Sequence, residues 1–279
     1  MSEPTRNLIV VSDTHCGCQF GLCSPDGLTL DGGGHYEPSH LQTKVWTWWR
    51  EFWDEWVPKV TRGEPYAVEL NGDTTDGRHH DSTTQISQNL ADQKHLAEEI
   101  LFPVIERASA LYMVRGTESH VGAAGENEEM LGESLGAVPS ETGQYTRLEL
   151  SLRIGGDGGP LCHFTHHIGT TGRTHYESSA PMGEMGEVYA EAGAWNHEIP
   201  DFIIRSHRHR HIKIQKVTHK GYGIVEVTPG WQLKTPFAFK INARNSTPQF
   251  GGICIRKGDE DHYSRAFVKT ITRPDAEVI

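Results

Sequence analysis

Short apolar runs that end in Asp or His residues are the feature of this sequence that most constrains its fold. The first run, residues 7–12 (NLIVVS), is rich in β-branched residues and leads directly into Asp13 and His15. A second run, residues 66–70, is followed at once by Asn-Gly-Asp, and a third, residues 111–114, by Arg-Gly. Continuous apolar runs this short are typical of strands buried in a parallel sheet. The first half of the chain is therefore expected to form such a sheet.

Two segments between these runs have helical patterns. Residues 85–110 carry apolar side chains at helical spacing and would join the second and third strands as a right-handed β-α-β unit. Residues 41–60 (LQTKVWTWWREFWDEWVPKV) contain five tryptophans, and the apolar positions that share one helical face are Val45, Trp48, Trp49, Phe52 and Trp56. An aromatic face of this kind favours packing against the core. The alternative function is a wall that stacks a nucleobase.

The second half of the chain contains further strand patterns. They occupy residues 145–154, 161–165, 201–205, 253–255 and 266–271, and a helix is predicted over residues 183–196. Residues 212–217 and 222–227 flank a Lys220-Gly221 turn, which indicates a hairpin. These elements predict an α/β (α+β) fold in which two sheets of mixed strands are flanked by helices. We expect a single domain over residues 1–279, with a long loop and the Trp-rich helix inserted at about residues 16–60.

Charge and composition exclude several classes of protein. The 26 basic and 37 acidic residues give a net charge of −11, which disfavours broad, non-specific binding of nucleic acid. No run of about 18 apolar residues is present, so a membrane span is not expected. The first residues lack a signal-peptide pattern, and the five cysteines do not suggest a disulfide framework. These features favour a cytoplasmic location.

Histidine is unusually frequent, with 17 residues, and several of them are clustered. Polar residues follow the predicted strands at the places where α/β folds collect their ligands. The candidates for one shared centre are Asp13, His15, Asp73, His166, His207 and His209. A mixed set of carboxylates and imidazoles suits Zn, Mn or Fe better than Ca. An Asp between two cations can bridge them.

The order of these motifs resembles that of the calcineurin-like metallophosphoesterases, and the resemblance runs from about residue 8 to residue 227. The matching segments are Ser12-Asp13-Thr14-His15, Asn71-Gly72-Asp73, Gly116-Thr117-Glu118-Ser119-His120, Thr165-His166-His167 and Ser206-His207-Arg208-His209. The resemblance implies a four-layer fold and two divalent metal ions, with Mn, Zn and Fe as candidates.

The resemblance also implies roles for individual residues. Asp13, His15 and His209 correspond to ligands of the first metal, and Asp73 to the bridging carboxylate. His166 and His207 correspond to ligands of the second metal; His166 is preferred to His167 because it is the first polar residue after its strand.

The third motif departs from the family pattern, which is Gly-Asn-His followed by Asp or Glu. Without a gap, Thr117 takes the place of the Asn that binds the second metal, and Glu118 takes the place of the His that donates a proton. His120 lies two residues further on and is our candidate for that proton donor. Glu118 remains an alternative ligand. The last motif has Ser206 where the family usually has Gly.

The implied activity is hydrolysis of phosphate esters by a hydroxide that bridges two metals. Phosphodiester bonds are the preferred target, as in a nuclease, because the long loop and the Trp-rich helix resemble those of phage and prophage members of the family. The partner would then be a nucleic acid or a nucleotide, and no association with a membrane is expected. Two alternatives remain: a phosphomonoesterase acting on a small substrate, and a metal-binding module whose catalysis is weakened by the altered third motif.

Overall fold

A computed structural model places most of the chain in two five-stranded sheets with helices on their outer faces. It describes residues 4–79, 81–169, 174–219, 221–240, 246–272 and 276–277. The strands in chain order are β1 (Asn7–Val11), β2 (Leu28–Thr29), β3 (His35–Tyr36), β4 (Tyr66–Asn71), β5 (Leu111–Val114), β6 (Leu150–Arg153), β7 (Leu161–Phe164), β8 (Phe202–Arg205), β9 (Ile212–Thr218), β10 (Gly221–Val227), β11 (Gln249–Lys257) and β12 (His262–Thr270). The helices are α1 (His40–Glu51), α2 (Val57–Val60), α3 (Leu90–Ile105), α4 (Glu118–Val121), α5 (Glu126–Ser134), α6 (Ser179–Trp195) and α7 (Pro236–Lys240).

Both sheets are mixed, as the sequence predicted. The first has the order β12-β11-β1-β4-β5, in which β1, β4 and β5 are parallel and β11 runs antiparallel to β1. The second has the order β6-β7-β8-β10-β9, in which β7, β8 and β10 are parallel. Strands β9 and β10 form the expected hairpin; Lys220 of its turn lies outside the described residues. The carboxyl ends of three parallel strands in each sheet are therefore available to build the site.

The apolar side chains form two separate cores, one on each face of the first sheet. Leu8 and Val10 of β1 face the second sheet and pack with residues such as Phe202 and Ile224. Ile9 and Val11 face the opposite way and pack with α1 and α3. Because neighbouring residues of a strand point to opposite faces, one buried strand serves both layers. Among the described helices, none combines the length and apolar character needed to cross a bilayer.

The Trp-rich segment packs against the core. Trp49 and Trp53 are completely buried, and a π-helical turn at Phe52–Trp56 separates α1 from α2. The wider turn changes the helical phase, so Trp53 and Val57 join the buried face and Trp56 is only partly buried. The core-packing interpretation is confirmed, and these two buried indoles do not form a nucleobase-stacking wall.

Three further predictions need correction. The helix predicted over residues 85–110 begins only at Leu90, because the Asn89 side chain accepts a hydrogen bond from the Ala91 amide and caps it. The strand predicted over residues 145–154 is confined to β6. The acidic run at residues 126–129 predicts a solvated helix start, but Glu128 is completely buried.

Candidate metal centre

The predicted site residues lie in loops after β1, β4, β7 and β8, at one end of the two sheets. Five of them have left-handed backbone conformations, namely Asp13 (φ 54°), His15 (φ 43°), Asp73 (φ 52°), His207 (φ 70°) and His209 (φ 50°). Only three other non-glycine residues in the described ranges share this conformation. Such conformations are costly for residues with a Cβ and tend to occur at functional sites. The backbone is therefore bent sharply where each polar side chain leaves its strand.

The first group consists of Asp13, His15 and His209. His209 Nε2 lies 3.2 Å from Asp13 Oδ1 and 3.3 Å from His15 Nε2, while His15 Nε2 is 4.0 Å from Asp13 Oδ1. The second oxygen of Asp13 accepts hydrogen bonds from the Ser12 hydroxyl at 2.5 Å and the His207 amide at 3.3 Å. One oxygen and two imidazole nitrogens thus point to a common place that is almost closed to solvent.

The second group consists of Asp73, His166 and His207. Asp73 Oδ2 lies 3.0 Å from His166 Nε2 and 3.8 Å from His207 Nδ1. His166 donates from Nδ1 to the Asn71 carbonyl at 2.6 Å, which leaves Nε2 directed at the carboxylate. His166 is buried and belongs to this group, whereas His167 is exposed and packs its ring on His207 at 4.3 Å.

The two groups are adjacent. Asp73 Oδ2 of the second group is 4.0 Å from His15 Nε2, and Asp13 Oδ1 of the first is 3.9 Å from His166 Nε2. Asp73 therefore lies within reach of both groups. This position is compatible with a bridging carboxylate between two cations.

The altered third motif brings Thr117 to the second group. Its amide donates to Asp73 Oδ1 at 2.6 Å, its hydroxyl donates to Asp73 Oδ2 at 3.1 Å, and the same hydroxyl oxygen is 3.1 Å from His207 Nδ1. Glu118 is exposed at the first turn of α4 and belongs to none of the three Asp/His groups found among the described residues. Thr117, which sequence analysis treated only as a departure, thus contacts the candidate bridging residue.

A third group contains Asp76, a residue that the sequence analysis did not single out. Asp76 Oδ1 is 3.3 Å from His15 Nδ1, and Asp76 Oδ2 is 3.3 Å from His79 Nε2. The Asp76 backbone carbonyl accepts a hydrogen bond from His120 Nδ1 at 2.7 Å. The one feature of the sequence that could have pointed to Asp76 is its position three residues after Asp73, directly after the strand-end motif. Asp76 links the first group to His120.

Burial and neighbouring charges shift the pKa values of these buried groups. Burial alone would raise the pKa of Asp13, but the charge of the neighbouring His209 outweighs it and holds the pKa at about 2. Burial alone would lower the pKa of His166, but the Asp73 carboxylate raises it to about 10. For His120, burial lowers the pKa to about 4, and the neighbouring His15 acts in the same direction. His120 is therefore neutral at physiological pH in the absence of an added anion.

The donor atoms fit a pair of divalent transition metals. Asp13 Oδ1 is buried, faces Nε2 of both His15 and His209, and makes no hydrogen bond of normal geometry. Buried polar atoms without partners are costly unless a ligand or an ion satisfies them. Together with the imidazole nitrogens that face it, this carboxylate oxygen suits Zn, Mn or Fe.

Other polar residues near the candidate site have structural partners. Arg115 contacts Glu129, Thr146 and the Ala124 carbonyl, and Arg208 donates to the Glu177 carbonyl. His211 pairs with the buried Glu226 at 2.8 Å, outside both candidate metal groups. His80 lies outside the described residues. The five cysteines are buried and free.

Comparison with known proteins gives matches among solved structures only. No protein-family model matches the chain, and no curated protein matches it. A predicted phosphoesterase from Streptococcus pneumoniae has 13% identity and a TM-score of 0.36, with 96% of this chain and 99% of that chain covered. Vacuolar Protein Sorting 29 from Cryptosporidium parvum has 11% identity and a TM-score of 0.35, covering 97% and 100%. A Thermotoga maritima protein has 10% identity and a TM-score of 0.37, covering 96% and 100%.

Similarities at this level do not establish a shared activity. The stronger observation is internal to the chain, because the fold gathers residues from all five motif segments at one end of its two mixed sheets. The buried Asp/His groups suit a metal-dependent phosphoesterase. In the order of its motifs and in the place that its fold gives them, the chain resembles the calcineurin-like metallophosphoesterases.

Proposed function

We propose that this protein is a phosphoesterase that uses two divalent metal ions to hydrolyse phosphate esters, with phosphodiester bonds as its preferred target. The observation that carries the proposal is the adjacency of the two buried Asp/His groups, with Asp73 Oδ2 placed 3.0 Å from His166 and 4.0 Å from His15. Paired metal sites of this type act on phosphate esters in many enzymes.

Each residue of the site has a task in this proposal. Asp13, His15 and His209 would hold one cation, His166 and His207 the other, and Asp73 would contact both. When bound, the cations would supply Lewis-acid polarisation of the phosphoryl oxygens and activate water for attack. The Thr117 amide and hydroxyl keep the Asp73 carboxylate in place through two hydrogen bonds.

His120 is the proposed proton donor to the leaving alkoxide. Its Nδ1–H is donated to the Asp76 carbonyl, so Nε2 is the atom that would transfer the proton. The low pKa of about 4 means that His120 must gain this proton after the substrate binds. A phosphate anion nearby favours that step, because a negative charge raises the pKa of an adjacent imidazole.

Metal analysis combined with assays of two model substrates tests the proposal. Protein grown with Mn and Zn is expected to contain about two transition-metal ions per chain and to hydrolyse bis-p-nitrophenyl phosphate faster than p-nitrophenyl phosphate. Asp73→Asn should abolish turnover of both substrates. A faster reaction with the monoester would favour the phosphomonoesterase alternative, and bound metal without any turnover would favour the metal-binding module. Absence of metal would contradict the dinuclear site.

A further inference from the structure

An open cavity of about 340 Å³ adjoins the second Asp/His group. It is lined by His167, Ile168, Gly169, Glu184 and His207. Because His207 belongs to both the cavity wall and the second group, a molecule bound at the metal groups would extend into this space. A cavity near the lower end of the usual range for small-molecule sites would hold one small organic group.

Glu184 presents a fixed hydrogen-bond acceptor to this cavity. Its Oε1 accepts from Arg205 Nε at 2.8 Å and lies 2.7 Å from Arg205 Nη2. The Arg205 side chain is almost completely buried, and its Nη1 donates to the Ile204 carbonyl at 2.8 Å. No hydrogen bond to Glu184 Oε2 is found within the described ranges. The carboxylate is therefore held rigidly by one oxygen while the other is available to a ligand.

His167 supplies a second polar group on the same wall. Its ring packs on His207, and its Nε2 is 3.5 Å from the Thr117 hydroxyl. Nδ1 of His167 forms no hydrogen bond with any described residue. The cavity thus combines one imidazole nitrogen and one carboxylate oxygen with the apolar side chain of Ile168, a pattern typical of small-molecule sites.

We propose that this cavity binds the alcohol portion of the phosphate ester and selects alcohols that carry additional hydroxyl groups. The inference rests on the proposed function, because the phosphoryl group must lie at the adjacent metal groups. A hydroxyl donates to Glu184 Oε2 and accepts from or donates to His167, whereas an alkyl group makes neither hydrogen bond and displaces water from both atoms. The preferred ester therefore has a sugar-like or polyol group on this side.

Binding of two matched phosphonates tests the subsite without turnover, because their carbon–phosphorus bond is not an ester. We would measure the affinity of 2,3-dihydroxypropylphosphonate and of propylphosphonate for the metal-loaded protein by calorimetry. The dihydroxy compound is expected to bind about tenfold more tightly, as one hydrogen bond to a charged group would give. Equal affinity, or no binding of either compound, would overturn the proposal.

Three variants test whether the preference for the dihydroxy compound arises in this cavity. Glu184→Gln replaces the acceptor oxygen, and His167→Phe keeps a ring against His207 but removes both nitrogens. Each is expected to reduce the tenfold preference to about twofold or less, with unchanged metal content. Glu187→Gln, an exposed position on the same helix, should keep the full preference. A preference that survives both cavity variants would refute the assignment. Loss of esterase activity in all assays with the preference intact would instead reject the proposed function and leave the subsite standing.

Discussion

At the scale of single residues, Thr117 and His120 of the altered third motif have different surroundings. Thr117 contacts Asp73 and His207, whereas His120 packs its ring on His15 and His79 with centroid distances of 4.6 and 4.4 Å. The two extra residues between Gly116 and His120 are accommodated by the short helix α4. This helix returns His120 toward the first group, which a gapless reading of the sequence would not predict.

The proposed role of His120 predicts a dependence on the leaving group. His120→Ala should slow hydrolysis of an alkyl ester by about 10²–10⁴-fold, because an alkoxide needs a proton as it departs. Hydrolysis of a p-nitrophenyl ester should change far less. Comparing kcat/KM for both esters, with metal content measured in parallel, checks this. Loss of metal would show that His120 is a ligand, and an equal loss of rate for both esters would refute proton donation.

Replacing His209 or His211 tests whether His209 is a ligand of the first metal. His209 Nε2 is 3.2 Å from Asp13 Oδ1, whereas His211 bonds Glu226 instead. His209→Ala is expected to remove about one metal ion per chain and to lower activity by orders of magnitude. His211→Ala should keep both metals. Elemental analysis of the two variants gives the answer, and equal metal loss would contradict the assignment.

Glu69 is a buried carboxyl group between the sheets, and its two oxygens have no hydrogen-bond partner. Burial raises its pKa well above the usual value, so the folded protein favours its protonated form. This preference stabilises the fold fully at low pH, and the benefit is lost as pH rises from the unfolded pKa toward the folded pKa. Glu69→Gln should therefore increase the free energy of unfolding at pH 8 by about 1–3 kcal/mol and by less at pH 5.

Urea unfolding at both pH values measures this effect. Glu106→Gln, at an exposed position after α3, serves as the control and should change stability little at either pH. A gain for Glu69→Gln that does not depend on pH would show that Glu69 is uncharged throughout this range.

At the scale of elements, helix α1 is connected to the first metal group. Trp49 is completely buried and contacts Trp231 edge-to-face at 4.9 Å, and the Trp231 amide donates to the Asp13 carbonyl at 2.9 Å. Trp49→Ala is expected to reduce the free energy of unfolding by about 3–5 kcal/mol through cavity formation. Trp195→Ala, at a position 69% exposed, should change it by less than about 1 kcal/mol. Denaturant titration of both variants checks the difference.

The elements also show how far the sequence alone predicts this fold. Strands β1, β4 and β5 could be predicted almost to the residue, because buried parallel strands are continuous apolar runs bounded by polar residues. The start of α3 was missed because residues 85–89 form loop contacts, such as Gln85 with Asp76, that leave no periodic signal. Glu128 looked solvated from its acidic neighbours, yet it accepts from the Thr74 and Gly116 amides at 2.8 Å.

The sequence also predicts which Asp and His residues come together at the candidate site, although it does not predict every one of them. The six predicted ligand candidates form two Asp/His groups, since strand ends deliver them to one edge. Asp76 was not predicted as a member of the third group, because its role depends on how the loop after β4 folds back. Tertiary contacts of this kind are not encoded in local spacing.

At the scale of the whole molecule, the net charge of −11 limits how the protein can engage a polyanion. Affinity for single-stranded DNA should depend weakly on salt, with a slope of log K against log salt no steeper than about −2, because few phosphates are neutralised. Fluorescence anisotropy with oligonucleotides of increasing length, between low and physiological salt, measures this slope. A steep slope, or an affinity that grows strongly with length, would indicate a basic track for nucleic acid.

The left-handed backbone at Asp13, His15, Asp73, His207 and His209 has a consequence for how this chain can change over generations. Each non-glycine residue held there opposes folding by about 1–2 kcal/mol relative to glycine. As long as selection maintains these side chains for activity, this free-energy cost remains. In a lineage released from this selection, glycine at these same five positions would remove this backbone cost. Glycine at these strand ends of a relative would therefore mark the loss of the side chains that form the two Asp/His groups.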